Sequence, residues 1–205
     1  MITYWLIGIT VILSWYSFDK PAMLGKLLLN PYAVHHHKQY YRLVTSGFVH
    51  ANFPHLLWNM FSFFFFGRVI EFYFNYIFGA TGNVLFVLLY LAAIILSDLP
   101  SVIKHKNNSR YNSLGASGGV SAVIFAAILF QPLEKICLYG VLCFPGFLFG
   151  IAYLIGSYYY AKRGKDNINH MAHIYGAAVG MIFCIMVYPR VINIFIDQVK
   201  TWTLF

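Results

Sequence analysis

Charge is scarce in this chain. Asp, Glu, Lys and Arg together make up 10% of it, against about 25% in an ordinary soluble domain, which excludes a water-soluble fold of usual composition. Cysteine is scarce too. Cys137, Cys143 and Cys184 lie in apolar segments with no Cys-x-x-Cys spacing. Three cysteines cannot all pair with one another, and these read as small buried apolar residues. There is no internal repeat, and no low-complexity segment beyond His35-His36-His37. Three adjacent residues point in different directions and make a poor chelate, so this run reads as a solvated loop and no metal is expected. The first apolar run, Ile2 to Tyr16, lacks a basic leader and a clear small-x-small cleavage site, so it is expected to be a retained helix. The net charge of +8 is spread through the polar connections and forms no patch. That is the ordinary state of loops at a membrane surface, and no nucleic-acid partner is expected.

Apolar residues are abundant: 60% of the chain is hydrophobic and 20% aromatic. Several runs approach the roughly 20 residues needed to cross a bilayer. The expected fold is an all-α polytopic membrane protein, with one membrane domain over residues 1–205. Six helices are predicted, at Thr3 to Ser17, His55 to Tyr76, Val84 to Ser97, Ser117 to Phe130, Ile136 to Tyr160 and His170 to Val187. Pro145-Gly146 should kink the fifth. Asp19 to Pro54 forms a long first loop whose apolar patches, 23–29 and 43–49, are too short to span. They predict interfacial or re-entrant pieces packed on the bundle. Asp98 to Leu114 and Ala161 to Asn169 read as polar loops. The fourth helix is too short to cross about 30 Å at 1.5 Å per residue. Its missing length must be irregular backbone inside protein or beside water, which puts Ser117 below the membrane surface and facing a wet pocket.

Three polar insertions interrupt the apolar segments. Ser117, between Gly115 and Gly118, opens the fourth helix, where backbone N–H groups and the helix dipole favour developing negative charge. A serine hydroxyl needs a base within reach, and His173 in the last helix is an intramembrane ionisable residue. Gly176 and Gly180 share its face and allow close approach to Gly118 and Gly119. His55 and Asn59 lie four apart on one face of the second helix and read as a pair of donors for an oxyanion. Each insertion also has a plain packing reading, as a small residue at a helix contact or a histidine bonded to its neighbour. Glu71 lies far down its helix from His55, and Asp166 precedes His173 in a loop. With no orienting carboxylate at a suitable spacing, Ser117 and His173 read as a dyad.

These residues, in this order, resemble the rhomboid family of intramembrane serine proteases. Tyr41-Arg42-Leu43-Val44-Thr45 is similar to the family's aromatic-Arg-x-x-Thr stretch in the first loop. His50, His55-x-x-x-Asn59 and Gly67-x-x-x-Glu71 follow, then Gly115-Ala116-Ser117-Gly118, then Ala172-His173-x-x-Gly176-x-x-x-Gly180. The resemblance implies a six-transmembrane-helix bundle with Ser117 as nucleophile and His173 as general base. It also implies an oxyanion hole of His55, Asn59 and the Ser117 N–H, structural roles for Arg42 and Glu71, and no cofactor. Transmembrane proteins would be cut near the membrane surface. A lateral gate at the fifth helix and a capping loop over Lys162 to Asn169 are further implications, as is a bacterial inner (plasma) membrane as location. The chain departs from the family at Ser121, four residues after the nucleophile, where many members carry an aromatic that stacks on the catalytic imidazole. A serine cannot stack, so the imidazole is then expected to be held by a hydrogen bond from the Ser121 hydroxyl, or by an aromatic of another helix such as Tyr175. The competing reading is a catalytically inactive rhomboid-like protein that binds or escorts membrane proteins; such relatives typically lack the serine or the histidine, and both are present here.

Overall fold

The computed structural model describes residues 1–138, 141–164 and 168–203. In chain order it comprises α1 (Ile2–Phe18), three short helices α2 (Pro21–Leu27), α3 (Pro31–His36) and α4 (Arg42–Thr45), a 3-10 turn (Ser46–Phe48), α5 (Phe53–Phe78), α6 (Thr81–His105) and α7 (Ser117–Phe130). A two-stranded hairpin of β1 (Lys135–Leu138) and β2 (Leu142–Pro145) follows, then α8 (Gly146–Arg163), α9 (His170–Val187) and α10 (Val191–Thr201).

The bundle is built around α7. Of its 14 residues, 13 are buried, because a helix apolar on every face is stable only when enclosed. It packs against α5, α6 and, most extensively, α9. Glycine permits the last of these contacts. A Cβ on Gly176 would collide with the carbonyl of Gly118, and one on Gly180 would lie 2.6 Å from Ala122 Cα. The small-residue face of α9 therefore meets the backbone of α7 directly. α1 packs on α5 and is fastened there by the buried Glu71, which accepts Ile2 N–H at 2.6 Å, Thr3 N–H at 3.0 Å and Thr3 Oγ1–H at 2.6 Å. That carboxylate satisfies orphan donors of the α1 N-terminus.

The long first loop is structured. Arg42 is buried and donates to Gly25 O at 2.8 Å, Leu28 O at 2.7 Å and Gln39 Oε1 at 2.6 Å. Asn30 caps α3 by accepting from Ala33 N–H at 2.8 Å. Leu29 and Ser113 exchange backbone hydrogen bonds of 2.9 and 3.0 Å, tying the loop to the segment that leads into α7.

α6 and α9 are long and apolar enough to cross a membrane, while α1 and α7 are apolar but shorter. Large apolar side chains face outward around the bundle, among them Trp5, Ile12, Phe65, Phe72, Ile155 and Met186.

Three expectations are corrected. The fifth helix does not start at Ile136 and run through a kink. Pro145 is extended (φ −51°, ψ 140°) and α8 begins after it, while residues 135–138 pair with residues 142–145 as antiparallel strands. In that hairpin Cys137 and Cys143 face each other across the strands and form a disulfide on the surface. Only Cys184 is a buried apolar cysteine among the described residues. The polar stretch after Ser97 does not leave the helix either: α6 continues through Pro100 to His105. Ser97, Asp98 and Ser101 are buried, and the last two meet the start of α9, where their polarity is used internally. Lys165 and Asp166, in the expected capping loop, lie outside the described residues.

Candidate active site

α5, α7 and α9 each present their N-terminal end at one place. Asn52 caps α5 by accepting from His55 N–H at 2.9 Å, with Pro54 in the first turn, where its missing N–H costs nothing. Asn169 caps α9 by accepting from Ala172 N–H at 3.2 Å. It also donates to Ser101 Oγ at 2.8 Å and Asp98 Oδ1 at 3.4 Å on α6, which locates the start of α9. Ser117 is the first residue of α7 and is half-buried.

The segment before Ser117 is held from two sides. Gly115 has φ +118° and donates its N–H to Ser46 O at 2.9 Å. Its missing Cβ is needed by a neighbour: a Cβ there would lie 2.6 Å from Cε1 and 2.8 Å from Nε2 of His55. The His55 ring therefore rests on the loop that carries Ser117. Asn59, buried one turn below, donates to His55 O at 2.9 Å and has a second amide hydrogen.

His50 forms the second support. It is fully buried, and its Nε2 accepts Ala116 N–H at 3.2 Å. With Nε2 accepting, the ring proton sits on Nδ1, which contacts Ser14 Oγ at 2.9 Å; Ser14 Oγ in turn donates to Phe48 O at 3.2 Å. Burial, and then the neighbouring His55, push the His50 imidazole down to about 3, so it is neutral at physiological pH and acts as a fixed hydrogen-bond bridge from α1 to the residue before Ser117. The sequence singled out His50 as part of a spacing pattern without a role; its role needs Ser14 and Ala116, 36 and 66 residues away.

On the other side, His173 lies in the first turn of α9. Ala172 O is 3.7 Å from the position of a Cβ on Gly118, and Gly176 lies on the Gly118 carbonyl. The first turns of α7 and α9 are thus side by side. The imidazole of His173 stacks on the ring of Tyr153 in α8, with centroids 6.1 Å apart and planes at 28°, and meets His170 edge-on at 5.6 Å. The hydroxyls of Tyr153 and Ser121 share a hydrogen bond of 2.6 Å. The flat wall beside His173 therefore comes from another helix, from Tyr153 and not from Tyr175. Nothing in the spacing of α8 distinguishes Tyr153 from the other tyrosines of that helix. Among the described residues no cluster of His, Cys, Asp or Glu is arranged to hold a metal.

Arg42 and Glu71 do not join this group. They organise the first loop and the α1–α5 contact, as described above.

A mostly helical bundle that faces its apolar side chains outward and gathers serine, histidines and asparagine at three helix starts is a polytopic membrane protein with an internal polar site. The Rhomboid domain matches residues 37–190, and the chain belongs to the rhomboid family. It is similar to RHOMBOID-like protein 12, mitochondrial, of Arabidopsis thaliana, at 30% identity over 185 residues, covering 84% of this chain and 53% of that protein. Rhomboid-like protein 11, chloroplastic, of the same plant is 28% identical over 160 residues, covering 74% and 54%. The rhomboid protein YdcA of Bacillus subtilis (strain 168) is 27% identical over 144 residues, covering 70% and 65%. The chain spans about half the length of the two plant relatives.

Proposed function

We propose that this protein is an intramembrane serine endopeptidase, with six helices (α1, α5, α6, α7, α8 and α9) crossing the bilayer and transmembrane proteins as substrates. Ser117 is the nucleophile and His173 the general base. The Ser117 Oγ attacks a peptide carbonyl carbon while the imidazole of His173 takes its proton. The carbonyl oxygen becomes an oxyanion at the start of α7, where the Ser117 N–H, the helix dipole, the His55 ring and the second amide hydrogen of Asn59 can donate to it or offset its charge. Collapse of the intermediate breaks the C–N bond, and the imidazolium returns the proton to the leaving amine. Water then repeats the sequence on the acyl-enzyme and frees Ser117. No cofactor takes part.

One observation carries this reading: the start of α7 is enclosed by the starts of α5 and α9, with the His55 ring against Gly115 and Gly176 against the Gly118 carbonyl. That places a serine at a helix N-terminus between two histidine-bearing helices. The test is labelling of the purified protein by a fluorophosphonate, alongside cleavage of a model transmembrane substrate. Wild type should label and cleave, Ser117→Ala should do neither, and His173→Ala should lose cleavage and label far more slowly. A wild-type protein that neither labels nor cleaves in lipid would leave the chain as a binding member of its family.

A further inference from the structure

The helix that carries Tyr153 is the least enclosed of the long helices. Only Gly146, Gly150 and Ser157 of the 18 residues of α8 are buried, against 13 of 14 in α7. It meets the site through aromatic rings. Tyr153 stacks on His173, and two turns further on Tyr160 stacks on His170 at 5.5 Å with planes at 27°. Phe125 of α7 and Phe149 of α8 flank Tyr153 at 5.7 and 6.0 Å. Its hydroxyl is fixed by Ser121, which is itself buried. So a tyrosine on a loosely enclosed helix reaches across to two better-enclosed helices, bonded to α7 by its hydroxyl and pressed on α9 by its ring.

We propose that Tyr153 is a positioning residue for the His173 imidazole. Its ring, anchored by the Ser121 hydroxyl, restricts the plane of the base, and the seat of α8 therefore bears on how His173 faces Ser117. The inference rests on the catalytic reading of Ser117 and His173 given above. An imidazole can turn about two side-chain torsions. A flat neighbour at stacking distance restricts that motion, and misorientation of a general base lowers the chemical step without altering how substrate binds. Because Tyr153 belongs to α8, any displacement of α8 takes the wall with it.

The experiment compares wild type, Tyr153→Leu, Tyr153→Phe, Ser121→Ala and the Tyr153→Phe/Ser121→Ala double variant. Two rates are read: fluorophosphonate labelling of Ser117, and kcat and KM for a model transmembrane substrate. Tyr153→Leu removes the wall and should lower kcat and the labelling rate by about 10- to 100-fold, with KM within about twofold of wild type. Tyr153→Phe keeps the ring and loses only its anchor, so it should lose no more than about tenfold. Ser121→Ala removes the same hydrogen bond, and the double variant should be no worse than the poorer single variant. If the leucine variant does not fold, Tyr153→Met refills the space without a flat ring and should show the same loss of kcat. The histidine ring resonances supply a readout independent of rate: the His173 signal should lose its ring-current shift in the leucine or methionine variant and keep it in the phenylalanine variant. A ringless variant that labels and turns over at the wild-type rate, or a loss carried entirely by KM, overturns the role of Tyr153 while leaving the protease reading intact. A wild-type protein that does not label at Ser117 overturns both.

Discussion

His50 and Ala116 are joined by a hydrogen bond of 3.2 Å from the backbone N–H to Nε2, so a buried imidazole from the first loop holds the residue immediately before Ser117. The bond requires a neutral ring. The folded protein keeps it neutral, since burial and then His55 lower its affinity for a proton to about 3, whereas an unfolded histidine titrates near 6.5. Between those values the unfolded chain binds a proton that the folded chain refuses, so stability falls as pH drops from about 6.5 towards 3. Above that window the contribution is complete. Thermal unfolding in detergent between pH 7.5 and 5 should show the midpoint falling on acidification, with a shallower fall in His50→Gln. At pH 7.5, His50→Ala should cost about 1–3 kcal/mol, the penalty for leaving buried partners unsatisfied. An unchanged pH slope in His50→Gln would remove His50 from this account.

His55→Ala and Asn59→Ala should lower kcat far more than they raise KM, because an oxyanion donor acts mainly in the transition state. The loss expected for one such donor is about 10²–10³ in turnover. Steady-state cleavage of a model transmembrane substrate checks it. A change confined to KM would show that the two side chains bind substrate and do not stabilise the oxyanion. His55→Ala also opens space beside Gly115, so thermal stability should be measured on the same sample.

Gly176→Val and Gly180→Val should disrupt packing as well as activity. A Cβ at either position meets α7 backbone: the Gly118 carbonyl in one case, and Ala122 Cα at 2.6 Å in the other. Backbone cannot rotate aside as a side chain does, so α9 must shift bodily. Overpacking of this kind costs about 1–3 kcal/mol even for a methylene, and valine adds more. The measurements are yield of folded protein, thermal midpoint and Ser117 labelling. Wild-type stability in either variant would mean that α7 and α9 are not in backbone contact there.

The mostly helical, membrane-type character of this chain was legible in its sequence because it follows from composition and the lengths of apolar runs. Short-range chemistry was legible too. The start of α7 at Ser117, the start of α9 at His170 and the start of α5 near His55 all follow from proline, asparagine and glycine placed next to apolar runs. The four-residue spacings put His55 with Asn59, and Gly176 with Gly180, on common helix faces. What failed was the reading of segments whose state depends on the partner they pair with or pack against. Ile136 to Pro145 is apolar enough for helix, yet Ile136 to Leu138 pair with Leu142 to Phe144 as antiparallel strands, where Cys137 meets Cys143. Residues 98–105 are polar enough for a loop, yet they stay helical, with Asp98 and Ser101 receiving Asn169. Only the tertiary structure decided the supports of the site. His50 reaches Ala116 across 66 residues and Tyr153 reaches Ser121 across 32, and no local period records either contact. Both join segments distant in the chain, and that geometry is set by packing after the helices exist.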